Sequence, residues 1–554
     1  MEKLIQLNIL DGGSKSREED KIMKREKKTK KDLSRRDFIK GTAMGAGTMA
    51  LAALGTRGAK AFPVTELPSR WDYEVDMLII GAGGAGLMAA IEAHDQGAKV
   101  LIVEMQETPY FSESSNCGGC AGIPRNDLQI AEGILDDSPD LLFEDMMRVG
   151  RYSNREANLR VYTDNVTEAY KRWTAHGAKP ISHRYVGGHS RKRVLGYINR
   201  QVTDALYGQV KARRIPILFN TRAKCLVVDP QTWRVLGVEA RKGVVPPYFE
   251  YEAGQKIFVR GNVTVLCTGG MCGSPEMLDR YSPRVGKFAL AGPWIIRGVP
   301  EGFPERAIGL GDGYIMGMEI GADHTHMYSI TTYTGVPHPD KPGYRAPIAV
   351  SIPGYTAGAI AVNKEGKRFI EEATSAPCDV GEGMLLQTGK TLFKVCDKTM
   401  YDKVTQSPEA LSLLAQGKAY TWFGDTIEDV AGKAKVDPAG LRDTLQKWNS
   451  YVAQGNDADF GRPPEYMAKI ETPPFIIQQN WLAPIHNSGG LVSNTRLQIL
   501  DVNRKVIPGL YGAGEVVGGD SGEVYLTCTH WPCAMTLGYL VGKYFAIKEA
   551  LGLE

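Results

Sequence analysis

Tyr73-Glu-Val-Asp-Met-Leu-Ile-Ile-Gly-Ala-Gly-Gly-Ala-Gly86 is the stretch that decides the fold. It reads as an apolar strand, a glycine turn and the start of an apolar helix. Gly81, Gly83 and Gly86 form a G-x-G-x-x-G pattern, with Gly84 inside it. Glycines so placed let a backbone approach a pyrophosphate at a helix N-terminus. The next apolar run, Ala98-Lys-Val-Leu-Ile-Val-Glu104, ends in an acid spaced to hold a ribose hydroxyl. A helix cap without a ligand is the alternative. The strand before, the helix after and the spaced acid together argue against it. Far along the chain stands a second glycine-rich segment, Ile507-Pro-Gly-Leu-Tyr-Gly-Ala-Gly-Glu-Val-Val-Gly-Gly519.

The 554 residues suggest about three or four domain-sized units. With 43% hydrophobic and 23% charged residues, the composition is globular. Residues 1–61 hold 15 Lys/Arg against 8 Asp/Glu, whereas the whole chain is only +3, so the remainder is net acidic. The basic character belongs to a leader and gives no case for nucleic-acid binding. That leader runs from a basic stretch at Lys24–Lys31 through Ser34-Arg-Arg-Asp-Phe-Ile-Lys40 to an uncharged segment, Gly41–Gly55, and small residues at Ala59-Lys-Ala61. Paired arginines before a weakly apolar segment resemble a twin-arginine export signal, implying the periplasm or cell exterior. A basic tail with an N-terminal helix is the alternative. Met23 is an alternative start to Met1. The leader's apolar segment is too short to span a membrane comfortably, and no later segment has 18 uninterrupted apolar residues. No transmembrane segment is expected.

Nine dispersed cysteines make no disulfide framework. Cys117-Gly-Gly-Cys120 has redox-motif spacing but lacks the further Cys or His ligands of a zinc site, so no metal is expected. Packing, or a disulfide within the motif, remain its readings. No C-x-x-C-H occurs, so no c-type haem attaches to the chain.

Along the chain, 1–61 is the leader, 62–72 a linker and 73–332 the first part of a dinucleotide domain. Residues 333–480 change character, with Pro-rich stretches, a strand near Ala359–Asn363 and a helix near Pro438–Gln454. They read as an inserted domain, after which 481–554 completes the first. Asn154–Gly177 reads as one amphipathic helix, Leu226–Glu239 as a hairpin, Asn262–Gly270 as a buried strand, and Gly311-Asp-Gly313 as a helix start.

These blocks, in this order, resemble the fumarate reductase/succinate dehydrogenase flavoproteins and their relatives, the 3-ketosteroid dehydrogenases, from about Val75 to Ala546. The resemblance implies an α/β fold. A Rossmann-like FAD-binding domain, a parallel sheet with helices, is discontinuous in sequence and carries an inserted α+β substrate-capping domain. Within it Gly81, Gly83, Gly86 and Glu104 match the ADP-binding turn. Ser114-Ser-Asn-Cys-Gly-Gly119 matches the loop against the flavin ring, assigning Ser114, Ser115, Gly118 and Gly119 to the cofactor. Thr268, Gly269 and Gly270 match the A-T-G-G block. Asn363-Lys-Glu-Gly-Lys-Arg-Phe369 and His486-Asn-Ser-Gly-Gly490 match two further blocks, and Gly514 and Glu515 match the segment that meets the ribityl chain. Val227, Asp312 and Thr536 are also expected at the cofactor. No His lies between His94 and His176, so FAD is expected to be held non-covalently.

Fumarate reductases of this family clamp two carboxylates with His and Arg. Spacing from the nearest blocks puts Tyr333 at the first clamp His and Tyr525 at the second clamp Arg. Ile352 and Tyr355 fall on the proton path, and Ala376 on the proton-donor Arg. Only His486 is retained. Each lost charge-assisted contact costs about 2–5 kcal/mol in a desolvated site, which argues against fumarate. Tyr333, Tyr355 and Tyr525 would line an aromatic pocket for a neutral carbonyl compound. Ketosteroid relatives are similar in carrying Tyr at the Tyr525 position and in the run Ala534-Met-Thr-Leu-Gly-Tyr539. They depart where Ala376-Pro-Cys-Asp379 stands in place of their A-P-Y.

The expected activity is hydride transfer between flavin N5 and a C–C or C=C bond beside a carbonyl. Tyr525 and His486 would polarise the carbonyl, and Tyr333 or Tyr355 would handle the α-proton. An enone or acrylate-type reductase, fed by a separate cytochrome or the quinol pool, is the first expectation. A ketosteroid dehydrogenase-like enzyme is the second, and a non-catalytic electron-transfer flavoprotein the third.

Overall fold

The computed structural model describes residues 67–244, 254–286, 308–337, 350–375 and 377–553. The export leader, residues 62–66 of the linker, and Ala376 lie outside the described residues.

Met77–Ile80 is apolar and buried throughout, as a strand covered on both faces must be. Its strand, Tyr73–Ile80, pairs in parallel with Val100–Val103 on one side and Gln255–Leu266 on the other. Ile217–Leu218 extends the first side and Val506–Gly512 the second, both in parallel. The registers place Ile80 opposite Val103 and Leu266, and Leu266 opposite Gly512. The chain therefore leaves the strands at Gly81, Glu104, Cys267 and Ala513 along one edge of the sheet. Gln498–Leu500 closes the far side antiparallel. Thr221–Val228, Val235–Lys242 and Gln255–Leu266 form an antiparallel meander, which contains the expected hairpin.

The helix Gly84–Asp95 is buried from Gly84 to Ala93 and packs on the C-terminal helix His530–Leu540. That contact is close because Gly538 and Gly542 face Ala85 and Ala89, where added Cβ atoms would collide with backbone oxygens. The run expected as one helix over Asn154–Gly177 is two, Glu156–Thr163 and Val166–Ala175. Asn165 between them turns its side-chain amide back onto Val161 O at 2.9 Å, the local competition that ends helices.

A second, antiparallel sheet comprises Ile330–Gly335, Ile360–Val362, Thr391–Asp397, Thr421–Gly424 and Phe475–Asn487. Phe475–Asn487 pairs with three of the others. Ile427–Ala434 and Pro438–Gln454 help to bury its separate apolar core around Trp448. The end of Phe475–Asn487 carries His486 to the edge of the parallel sheet. A three-stranded sheet, Cys120–Gly122 with Val194–Gly196 and Ser182–Arg184, supports the loop after Ser114. Among the described residues no helix is long and apolar enough to cross a membrane.

Candidate active site

The strand ends surround one cavity of about 1830 Å³, counting its opening to solvent. The first glycine turn explains its floor. Gly81 has φ 106, and a Cβ there would collide with Cys267 O. A Cβ on Gly86 would collide with Gly81 O, so the helix can sit this close only with glycine. Gly83 differs: a Cβ would stand 3.6 Å from Ser114 Oγ, in ordinary contact. Gly83 is also the helix N-cap, has no side-chain cap hydrogen bond, and is followed by a first turn without acids. A helix start without an N-cap side chain or an acidic first turn fits a pyrophosphate. Gly84 N–H donates to Ser114 Oγ at 3.0 Å. Glu104 receives Ala82 N–H at 2.6 Å and Gln106 N–H at 2.7 Å, which orients its carboxylate at the cavity wall. Burial nevertheless raises its pKa. Thr268 lines the cavity, and its buried Oγ1, beside Gly313, has no protein hydrogen-bond partner.

Beyond Gly514 lies a buried charge cluster. Glu515 Oε1 receives Asn487 N–H at 2.7 Å and lies 3.3 Å from His486 Nδ1, while Oε2 lies 3.3 Å from His530 Nε2. The imidazoles are 3.9 Å apart between centroids. Burial opposes the Glu515 charge, but His530 and His486 outweigh it and hold the carboxyl well below its usual range. Burial likewise opposes the His530 charge, and Glu515 reverses it, raising that imidazole above its usual value. His486 is lowered, by burial and then by His530. Glu113, against Glu515, is pushed well up by burial and by that neighbour. The ligand atoms of His486, Glu515 and His530 lie within 4.8 Å of one another, close enough to bracket a cation, although Glu515 is already committed to Asn487 N–H.

Tyr525 lies over this cluster, its ring 4.9 Å from that of His486. Its hydroxyl oxygen accepts Cys528 N–H at 2.8 Å and His530 N–H at 3.4 Å. Tyr333 donates to Thr527 Oγ1 at 2.8 Å, and Cys378 Sγ stands 3.6 Å behind the same oxygen. Burial raises both phenols well above their usual pKa, so both keep their protons. Arg222 is the one arginine or lysine among the described residues that line the cavity, and it is ion-paired with Asp312 through two contacts of 2.7–2.8 Å.

The FAD binding domain family matches residues 76–529, and the twin-arginine translocation signal family matches residues 32–52. The chain belongs to the FAD binding domain family. A fumarate reductase (cytochrome) of Shewanella frigidimarina is 29% identical over 476 residues, covering 85% of this chain and 76% of its own. The acrylate reductase flavoprotein subunit of Shewanella woodyi is 28% identical over 527 residues, covering 92% and 98%. The 3-ketosteroid Δ1-dehydrogenase of Sterolibacterium denitrificans shares the fold, with a TM-score of 0.69 and 20% identity over 85% of this chain and 99% of that one. This family member is an exported, FAD-dependent oxidoreductase acting on CH–CH groups.

Of the residues expected at FAD, most line the cavity, from Gly81, Gly83, Gly84 and Glu104 through Ser114, Gly118 and Gly119 to Thr268 and Gly269. Asp312, Gly514 and Glu515 join them. Gly86 and Gly270 stand behind the wall, Gly270 where a Cβ would strike the Glu515 carboxylate. Ser115 and Thr536 are not among the lining residues, and the Thr536 hydroxyl bonds Pro532 O inside its helix at 2.7 Å. Val227 is buried within its strand, and Thr221, Arg222 and Ala223 meet the cavity instead. Thr221 N–H donates to Glu104 O, so the start of this strand, rather than its middle, lies beside the acid.

Of the expected catalytic residues, Tyr525, His486 and Tyr333 line the cavity together. Tyr355 does not. It sits in the single turn Tyr355–Ala357, packed against both apolar cores, with the Lys394 ammonium 4.8 Å from its ring centre. Glu113 and Thr527 were not assigned from sequence, whereas His530, in the run Thr529-His530-Trp531, was a candidate near the flavin ring and lines the cavity. The polar Thr527 beside Leu526 is the signal that marks one of the two.

Proposed function

We propose that this flavoenzyme saturates a C=C bond conjugated to a carbonyl, in an enone or acrylate-type acceptor, with electrons delivered by a separate cytochrome or the quinol pool. The observation that carries this is the Tyr525 hydroxyl. Two backbone N–H groups occupy its oxygen, so its own proton is left to donate to a substrate carbonyl. When bound, FAD supplies the hydride. Tyr525 then stabilises the oxygen charge that develops as the β-carbon is reduced. Tyr333, kept protonated by burial, supplies the proton to the α-carbon once its hydroxyl turns from Thr527 Oγ1, its acceptor in the structure. His486 holds the ring face of Tyr525 in place. The ion-paired state of Arg222 supports a substrate without two carboxylates, because no unneutralised clamp arginine lies among the described lining residues. The relation to an acrylate reductase flavoprotein supports the same substrate class.

Anaerobically photoreduced enzyme, mixed with a panel of enones, cinnamates, urocanate and fumarate, tests the proposal. Reoxidation by the monocarbonyl acceptors in preference to fumarate is expected. Reoxidation by fumarate alone, or flavin reduction by a saturated ketosteroid with no response to enones, overturns it.

A further inference from the structure

His189 is buried behind the cavity wall and is not among the lining residues. Its neighbours in sequence are pinned on both sides. Arg148 Nη2 donates to Gly188 O at 2.7 Å, and Ser190 N–H donates to Asp145 Oδ2 at 2.8 Å. The buried Arg193 holds Asp145 in turn, at 2.7 Å, and also pairs with Asp137. The imidazole packs on the strand Cys120–Gly122, where a Cβ on Gly122 would stand 2.8 Å from His189 Cε1. This frame aims Nε2 at Thr527 O, 2.8 Å away. A carbonyl only accepts, so Nε2 carries the hydrogen. Nδ1 has no hydrogen-bond partner among the described residues. Burial, and after it Arg193, pushes the pKa down to about 4, in keeping with a neutral ring and a bare Nδ1.

Thr527 O and Cys528 N belong to one planar peptide unit, with the carbonyl and the N–H on opposite sides. The N–H of that unit donates to the Tyr525 hydroxyl oxygen at 2.8 Å. A chain of hydrogen bonds therefore runs from His189 through a single peptide group to Tyr525. The next peptide is held as well, since Gly122 N–H donates to Cys528 O at 2.7 Å. Cys528 has φ 73, a left-handed conformation that strains a residue with a side chain and persists only where the surroundings fix it. We propose that His189 is a positioning residue for the Tyr525 hydroxyl, acting through the Thr527–Cys528 peptide. It fixes the direction of the Cys528 N–H and, by drawing electron density to Thr527 O, strengthens that N–H as a donor. A stronger donor at the phenol oxygen makes the phenol hydrogen a better donor to a substrate carbonyl. The chain of hydrogen bonds rests on geometry; its effect on turnover rests on the donor role proposed for Tyr525.

His189→Gln keeps an N–H donor near the Nε2 position, and His189→Met fills similar space without one. In the holoenzyme, amide hydrogen exchange over residues 525–531, read by mass spectrometry, should be faster with methionine and near wild type with glutamine. Unchanged exchange with methionine overturns the positioning. Reoxidation of the photoreduced flavin by an accepted enone should slow about tenfold with methionine, the worth of one hydrogen bond, and recover with glutamine. The limiting rate should fall while the half-saturating enone concentration stays the same. Because His189 acts through Tyr525, His189→Met should slow a Tyr525→Phe enzyme by less than about twofold. Equal slowing in both backgrounds, or slowing that persists with Tyr525→Phe and vanishes with Tyr333→Phe, overturns the route. Should the methionine variant fail to retain FAD, the wild type decides: in holoenzyme carrying 15N-labelled histidine, His189 should be protonated at Nε2, and an Nδ1–H tautomer overturns the chain. Wild-type turnover in Tyr525→Phe would overturn the donor role of Tyr525 and the effect on rate with it, whereas exchange and tautomer report the chain without any substrate.

Discussion

At the scale of one residue, Tyr525 carries the sharpest expectation. Tyr525→Phe removes the donated proton and leaves the Cys528 and His530 N–H groups without their acceptor. Loss of one such donor to a developing oxyanion costs about 10²–10³ in kcat. Flavin content should be unchanged, and stopped-flow reoxidation by an accepted enone checks the rate. The Glu515–His530 pair sets a pH dependence. The folded His530 pKa lies above 6.5, so its contribution to stability is complete below 6.5 and fades as pH rises through the raised value. The folded Glu515 pKa lies well below 4.5, so its contribution is complete above 4.5 and is lost only on further acidification. The melting-temperature difference between wild type and His530→Gln should therefore be largest between pH 4.5 and 6.5 and shrink at alkaline pH. Tyr525 was legible because the backbone from Glu515 to it is short and anchored at a glycine turn. Tyr355 was not, because the count ran back from Asn363 through the strand Ile360–Val362 into a tight turn at Gly358, φ 104, which redirects the chain into the second core.

At the scale of an element, the helix Gly84–Asp95 separates glycines needed by the protein from a glycine needed by its ligand. Gly86→Ala forces the helix off Gly81 O and should cost about 1–3 kcal/mol, read in denaturant unfolding of the apoprotein. Gly83→Ala meets nothing closer than 3.6 Å in the protein, so the apoprotein should lose less stability than with Gly86→Ala, only the small cost of Ala at an N-cap, while FAD affinity falls. Equal apoprotein stability losses in both variants would contradict the division. The pattern was legible because strand, turn and helix are local in sequence. The meander was legible only as a hairpin. Which end of Thr221–Val228 reaches the cavity depends on its hydrogen bond to Glu104, a contact between segments more than a hundred residues apart that no local pattern encodes.

At the scale of the whole molecule, the discontinuous domain follows from the register of a single strand. Gln255–Leu266 lies between Tyr73–Ile80 and Val506–Gly512, so both glycine turns open on the same sheet edge. The blocks announced this convergence, but the charge cluster inside it was hidden. Glu113, His486, Glu515 and His530 become neighbours only when the second sheet delivers His486 beside the C-terminal turn. A ligand held from both ends of the chain binds the folded state alone, so FAD should stabilise the entire unit rather than one half. Free FAD at a hundredfold excess over Kd contributes about 2.7 kcal/mol by mass action. Calorimetric melting temperature should therefore rise with the logarithm of FAD concentration. Limited proteolysis of apoprotein and holoprotein locates the effect. FAD should slow cleavage both before Ser114 and after Trp481, because Gly81 and Gly514 line the same cavity. Protection confined to the N-terminal segment would mean that the second glycine turn does not grip the cofactor, and that Glu515 and Tyr525 are aligned by the protein alone.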